Sequence, residues 1–266
     1  FGVTSAQTVN SWPSGLIAAV GAIGIEPGEE VIVTPWTMSA SATAIMHWNA
    51  IPVFADIDPE TFNICPKSVE KNISPYTKAI MAVDIFGQSA DMDALMKLAA
   101  EHNIKVISDT AQAPGALYKN QYAGTIADVG GYSLNYHKHV HTGEGGIIVT
   151  NDEKIANNLQ LIRNHAEVVV EEKGETDLAN MIGHNFRLGE IECAIGIEQL
   201  KKLKGYVNSR FKVAEKLTLG LKDLKVLNTP KIQDGCTHVY YVYGMTRDID
   251  HLGIDRDKIH AALVAE

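Results

Sequence analysis

The chain has 266 residues, 45% of them hydrophobic and 21% charged, proportions that exclude global disorder and suit one large domain, or one large and one small. Its 23 Lys and Arg against 32 Asp and Glu give a net charge of −9, which argues against duplex nucleic acid or an anionic membrane as the main partner. A small phosphorylated ligand stays open, because a helix N-terminus binds phosphate locally.

Three cysteines, Cys65, Cys193 and Cys236, lie far apart and in no metal-ligand spacing, the usage expected in a reducing cytoplasm. No apolar run approaches the roughly 18 residues of a membrane span, and no signal peptide is visible. A soluble cytoplasmic protein is expected. The chain opens at Phe1 without Met and closes on a helical pattern with Ile259, Leu263 and Val264 on one side and no stop signal after them. A fragment of a longer protein is expected from that ending.

In chain order, Ser14 to Ile23 reads as a helix. EVIVT (30–34), IPVF (51–54), KAIMAVD (78–84) and IKVIS (104–108) read as buried strands, being short apolar runs rich in β-branched residues. Met92, Leu95, Met96 and Ala99 share one helical face. Two more strands, VGGYSL (129–134) and GIIVT (146–150), precede a helix from about Glu153 to Arg163. This alternation predicts an α/β fold, a mainly parallel sheet sandwiched by helices. The pattern changes near Thr176. RLGEIECAIGIEQLKKL (187–203) and the stretch from Val207 to Leu224 read as amphipathic helices, THVYYVYGM (237–245) as a strand. The expected division is a large domain over 1–175, then linking helices and an incomplete small α+β domain over 176–266.

Two stretches carry chemistry. In SLNYHKHVHTGEGG (133–146), Lys138 follows a strand and precedes a Gly-rich turn. A partly desolvated lysine there has a lowered pKa and attacks carbonyls; the alternative is a plain surface lysine. In VISDTAQAPGALY (106–118), Asp109 falls at the carboxyl end of a strand, where ligands of open α/β sheets collect. The alternative there is a turn residue capping the next element. An acid pairing with a pyridinium and a lysine bonding an aldehyde are together the groups that pyridoxal phosphate needs. His137, His139 and His141 alternate around Lys138, but no carboxylate stands at ligand spacing, and no metal is expected. Cys193 reads as a core residue. TGEGG is no dinucleotide fingerprint.

Seven motifs in register carry a resemblance: GIEPGEEVIVTPWT (24–37), PVFADIDPETFNI (52–64), DIFGQSADMDAL (84–95), DTAQAPGA (109–116), SLNYHKHVHTGEGG (133–146), RNHA (163–166) and GHNFRL (183–188). Across its whole length the chain resembles the DegT-type sugar-nucleotide aminotransferases, which use pyridoxal phosphate on the aspartate aminotransferase fold (fold type I). The resemblance implies that Lys138 bonds the cofactor aldehyde and shuttles the substrate proton. It implies that Asp109 pairs with the pyridine nitrogen, Gln112 contacts the ring hydroxyl, and Ser133 and Ser14 bind the phosphate. Asn185 is implied to reach the cofactor phosphate of a neighbouring subunit, so that a homodimer shares its sites. Met38 aligns with the residue that covers the cofactor ring, with Trp36 two positions earlier as the alternative. Pro13 replaces a Thr common in the family. The implied reaction moves an amino group from an amino acid, glutamate by expectation, to a nucleotide-linked keto-deoxysugar. Family dehydratases carry His in place of the lysine, and the TGEGG register puts Lys138 there instead. A dehydratase, or a cofactor-binding subunit without turnover, are the competing readings.

Overall fold

A computed structural model of the chain describes residues 1–167, 181–247 and 253–265. The expected domain boundary at 175/176 lies outside these residues. The central sheet has seven strands: β1 (Ser5–Val9), β2 (Glu30–Val33), β3 (Ile51–Phe54), β4 (Thr77–Val83), β5 (Lys105–Asp109), β8 (Val129–Ser133) and β9 (Gly146–Thr150), with a small hairpin of β6 (Leu117–Tyr118) and β7 (Gln121–Tyr122) set apart. Its order is β1-β9-β8-β5-β4-β2-β3. The run from β8 to β3 is parallel, and β9 alone is reversed, antiparallel to both β8 and β1.

Successive side chains of a strand point to opposite faces, and this divides the core in two. Val31 and Val33 of β2, Met81 of β4 and Ile107 of β5 pack on α1 (Trp12–Ala22), α2 (Ser39–Met46) and α5 (Glu153–Arg163). Their neighbours Ile32, Ile80 and Val106 pack on α3 (Pro66–Asn72) and α4 (Met92–His102). A Leu or Ile buried this completely contributes about 1.5–3 kcal/mol relative to exposure. Each face therefore holds the sheet in register, since a one-residue slip would exchange the two sets.

Capping sets where the helices start. Ser11 accepts the Ser14 N–H at the head of α1, Asp91 accepts the Ala94 N–H at α4, and Asp152 accepts the Ile155 N–H at α5. Pro13 sits in the first turn of α1, where a missing N–H costs nothing. Asn103 ends α4 in the left-handed conformation, φ 54°.

Beyond residue 181 the chain forms α6 (Glu190–Leu200), α7 (Leu203–Leu221), a two-stranded pair of β10 (Leu227–Asn228) and β11 (Thr246–Arg247), and α8 (Arg256–Ala265). Three expectations are corrected here. The helix expected from 187 starts only at Glu190, after extended residues and the Gly189 cap, and the next begins at Leu203 rather than Val207. The aromatic stretch 237–245 is not a strand: it makes one isolated bridge, His238 with Gln88, and Tyr240 has φ 50°. Its apolar residues are there because Val239 and Tyr240 are buried against the sheet domain. Cys193 is half-buried with its Sγ 3.9 Å from Thr8 Oγ1, on a helix with no buried residue. Among the described residues no helix is long and apolar enough to cross a membrane.

Candidate active site

The carboxyl ends of β4, β5 and β8, the first turn of α1 and the loop before β9 enclose a cavity of about 250 Å³, at the end of the sheet where α/β folds collect ligands. Asp109, the last residue of β5, lies at its base, 5% exposed. Its Oδ1 accepts from the Trp12 indole (2.7 Å) and the Ala111 N–H (3.3 Å), and its Oδ2 from the Ser41 hydroxyl (2.8 Å). The Trp12 ring reaches Asp109 because Gly131 makes room for it. A Cβ on Gly131 would lie 2.4 Å from that ring and 2.2 Å from the Ile147 carbonyl oxygen. Behind Asp109, the fully buried Asp84 accepts from Thr110 (2.6 Å), Ser108 (3.2 Å) and the Ala90 N–H (2.9 Å). Burial pushes its carboxyl up to about 6.

Lys138 stands on the loop between β8 and β9. That loop is closed on itself: the Leu134 N–H donates to the Gly145 carbonyl (2.8 Å), and Asn135 Nδ2 donates to Glu144 Oε1 (2.6 Å). Burial pulls the Lys138 amine below the usual lysine range, opposed by the negative charge of Asp109. Its Nζ is 4.5 Å from the Tyr241 ring centroid and 3.5 Å from that hydroxyl.

The other expected residues fall into two groups. Gln112, Ser133 and Met38 line the same cavity as Lys138 and Asp109. Gln112 Oε1 accepts the Phe86 N–H (2.8 Å), which leaves its Nε2 as a free-standing donor. Ser133 ends β8, 4% exposed. Met38 is 71% exposed at the start of α2, whereas Trp36 packs on Phe62 and Phe86 and is not among the lining residues. Ser14 and Asn185 do not line the cavity. From the first turn of α1 the lining comes from Ser11, Trp12 and Pro13, with Ser14 Oγ 2.9 Å from Ser11 Oγ. Asn185 pairs with Asn164 and accepts at its carbonyl from Asn10 Nδ2 (3.2 Å).

The three histidines diverge. His137 lines the cavity with its ring against Tyr136, while His139 is buried with Nε2 3.0 Å from the Val239 carbonyl, and burial pushes it down to about 4. Among the described residues no group of three or more His, Cys, Asp or Glu is placed to hold a metal. His184 stacks on Phe186 and sits with Nε2 3.4 Å from His47 Nε2. Trp12, Ser41 and Tyr241 were not foreseen. They meet Asp109 and Lys138 across 68 to 103 residues of sequence, and only the opening SWPSG, a cap followed by Pro, hinted that a helix start was worth attention.

The chain matches the sequence model of the DegT/DnrJ/EryC1/StrS aminotransferase family over residues 1–266. It is 33% identical to the spore coat polysaccharide biosynthesis protein SpsC of Bacillus subtilis, over 100% of this chain and 70% of that one. It is 35% identical to the GDP-perosamine synthase of Caulobacter vibrioides, over 96% of this chain and 71% of that one. The crystal structure of DesV from S. venezuelae superimposes with a TM-score of 0.88 at 30% identity, covering 98% of this chain and 67% of that one. The fold and cavity are those of a pyridoxal-phosphate-dependent aminotransferase, and the chain belongs to the DegT/DnrJ/EryC1/StrS aminotransferase family.

The donor set fits that cofactor. The buried Asp109 carboxylate is bonded to neutral donors, which leaves its charge for a cationic ring nitrogen. The one lysine among the lining residues is Lys138, whose amine burial biases toward the neutral, nucleophilic form.

Proposed function

We propose that the chain transfers an amino group from glutamate to a nucleotide-linked keto-deoxysugar. The observation that carries this reading is the meeting, in one cavity, of the Asp109 carboxylate from the end of β5 and the Lys138 amine from the loop after β8. The names of relatives such as GDP-perosamine synthase supply the substrate class. The bound cofactor supplies an electron sink for the carbanion formed when the amino-bearing carbon loses its proton.

The chain's own residues do the rest. Asp109 holds the ring nitrogen, and the Trp12 and Ser41 donors fix the direction of its carboxylate. Gln112 offers Nε2 to the ring hydroxyl. Ser133 and the first turn of α1 take the phosphate, where the helix dipole favours an anion. Ser14 serves that turn through its contact with Ser11, and Met38 covers the ring from the mouth of the cavity. Lys138 Nζ would take the proton from the donor's α-carbon and hold it for return, as the one amine among the lining residues. The amino group given up by glutamate, which would leave as 2-oxoglutarate, would be carried by the bound cofactor to the keto-sugar. A lysine beside Asp109 favours transamination over a dehydratase, because only an amine bonds the cofactor and shuttles that proton. With the full-length protein, a panel of nucleotide-linked keto-sugars and glutamate is expected to yield an amino-sugar product with 2-oxoglutarate in equal amount. A deoxy-sugar product without 2-oxoglutarate would establish the dehydratase.

We further propose a homodimer that shares its sites. The helix α6 presents Ile191 and Ile195 to solvent on one side and Ile197 and Leu200 on the other, Ile191 77% exposed, and exposed apolar surface of this kind marks an interface. Asn185, five residues before this helix, lies outside its own chain's cavity and is free to serve a partner's. Ile191→Glu with Ile195→Glu is expected to give a monomer by sedimentation; a dimer that persists in the folded variant would overturn the assignment of this face.

A further inference from the structure

We propose that Tyr241 is a positioning residue for Lys138, whose ring face receives the side-chain amine whenever it is not bonded to the cofactor and stabilises it there as ammonium. The inference rests on the reading of Lys138 as the cofactor lysine. It starts from contact geometry. Nζ stands 4.5 Å from the ring centroid, within cation–π range, while the hydroxyl at 3.5 Å is too far for a good hydrogen bond. Together the two distances set the amine over the hydroxyl edge of the ring, where the ring and the hydroxyl both face it.

The segment bearing Tyr241 is held in place from several sides. Tyr240 has φ 50°, a left-handed conformation that an aromatic residue rarely adopts and that persists only where the surroundings enforce it. Its N–H donates to His238 Nδ1 (2.9 Å), and its carbonyl accepts from Arg210 Nη1 (3.1 Å). On either side, the Val239 N–H donates to the Gly87 carbonyl (2.8 Å) and the Val242 N–H to the Phe86 carbonyl (3.2 Å). Gly87 permits this approach: a Cβ there would lie 2.9 Å from the Tyr240 nitrogen and 3.0 Å from that of Tyr241. The last tie comes from the lysine loop itself. His139, next to Lys138, donates from Nε2 to the Val239 carbonyl (3.0 Å). One loop thus carries both the amine and the clamp that keeps the ring over it.

The chemistry explains why a ring suits this place better than a carboxylate. When Nζ takes the substrate proton it becomes an ammonium, and the proton must then leave again. A carboxylate in salt-bridge contact would hold that charge firmly, whereas a ring face stabilises it modestly and accepts no proton. The charged and titratable groups around the pair are Asp109 on β5, His137 and His139 on the lysine loop, Glu144 beyond His137, and Arg210 and Tyr136 against Tyr241. Burial and Asp109 act on the amine in opposite directions, with burial the larger effect.

The test uses full-length protein loaded with pyridoxamine phosphate, which cannot bond Lys138. The pH dependence of trace acetylation of Lys138, read by mass spectrometry, gives the midpoint at which the amine becomes free. Tyr241→Leu is expected to lower that midpoint by about half a unit to one unit, and Tyr241→Phe to leave it unchanged. A series of increasingly fluorinated phenylalanines at 241 keeps the shape while weakening the negative face of the ring, so the midpoint falls stepwise. A flat series, or a Phe variant that behaves as Leu does, overturns the proposal. Failure of the underlying reading looks different: the absorption band of lysine-bound cofactor would then survive in Lys138→Ala.

Discussion

Lys138→Ala lowers turnover by at least about 10³-fold, since proton transfer by a positioned group alone is worth roughly 10²–10⁴ and the same residue also bonds the cofactor. The parent, given pyridoxal phosphate, shows the visible band of lysine-bound cofactor, which bleaches on addition of glutamate. The variant binds the cofactor without that band. Lys138→Arg fares no better, because a guanidinium stays charged at every accessible pH and offers no nucleophile. The sign of the pH dependence follows from burial, which holds the Lys138 amine below the usual lysine range. Its neutral form is therefore populated at lower pH than that of an exposed lysine, and loss of labelling or turnover sets in only as pH falls below this lowered value. Unchanged turnover in the alanine variant sinks the assignment.

Asp109→Asn is expected to fold and to fail. Asparagine keeps an oxygen for the Trp12 indole, and its amide group donates to the Ser41 hydroxyl that formerly donated to Asp109. What disappears is the charge. Removing one partner of a buried ion pair costs about 3–5 kcal/mol, so cofactor affinity or turnover falls roughly 10²- to 10⁴-fold. Titration of the cofactor into the stripped variant, beside its thermal midpoint, separates that loss from unfolding. Parent-like affinity together with parent-like turnover would show that Asp109 is only a strand-end cap.

What was legible in the sequence was local. Buried parallel strands announce themselves as β-branched runs, and β2 and β4 fall within a residue of where EVIVT and KAIMAVD place them, whereas IPVF forms the edge strand β3 with Ile51 and Phe54 exposed rather than buried. Asp109 and Lys138 stood out for a similar reason: each follows an apolar run and precedes a polar turn. The unread parts depend on distant partners. SAQTV, which forms β1, is too polar to read as a strand and becomes one only by pairing with β9. SASATAIM, which forms α2, has small residues that buttress Asp109 rather than a broad apolar stripe. THVYYVYGM misleads in the opposite sense. Its aromatic residues suit a strand, yet His238, Arg210 and Gly87 together bend it into the turn that presents Tyr241.

The reversed strand β9 also sets a timetable. Ser5 pairs with Thr150, so during translation β1 emerges from the ribosome long before β9, its neighbour in the sheet among the described residues, exists. At about 5–20 residues per second, that strand waits roughly 7–30 s unpaired. Trp12, which follows it, waits almost as long for Asp109 and Gly131. A strand edge left open for that time is a hazard for association between nascent chains. The polarity of SAQTV, which leaves it without an apolar strand pattern, lowers that hazard for the waiting segment.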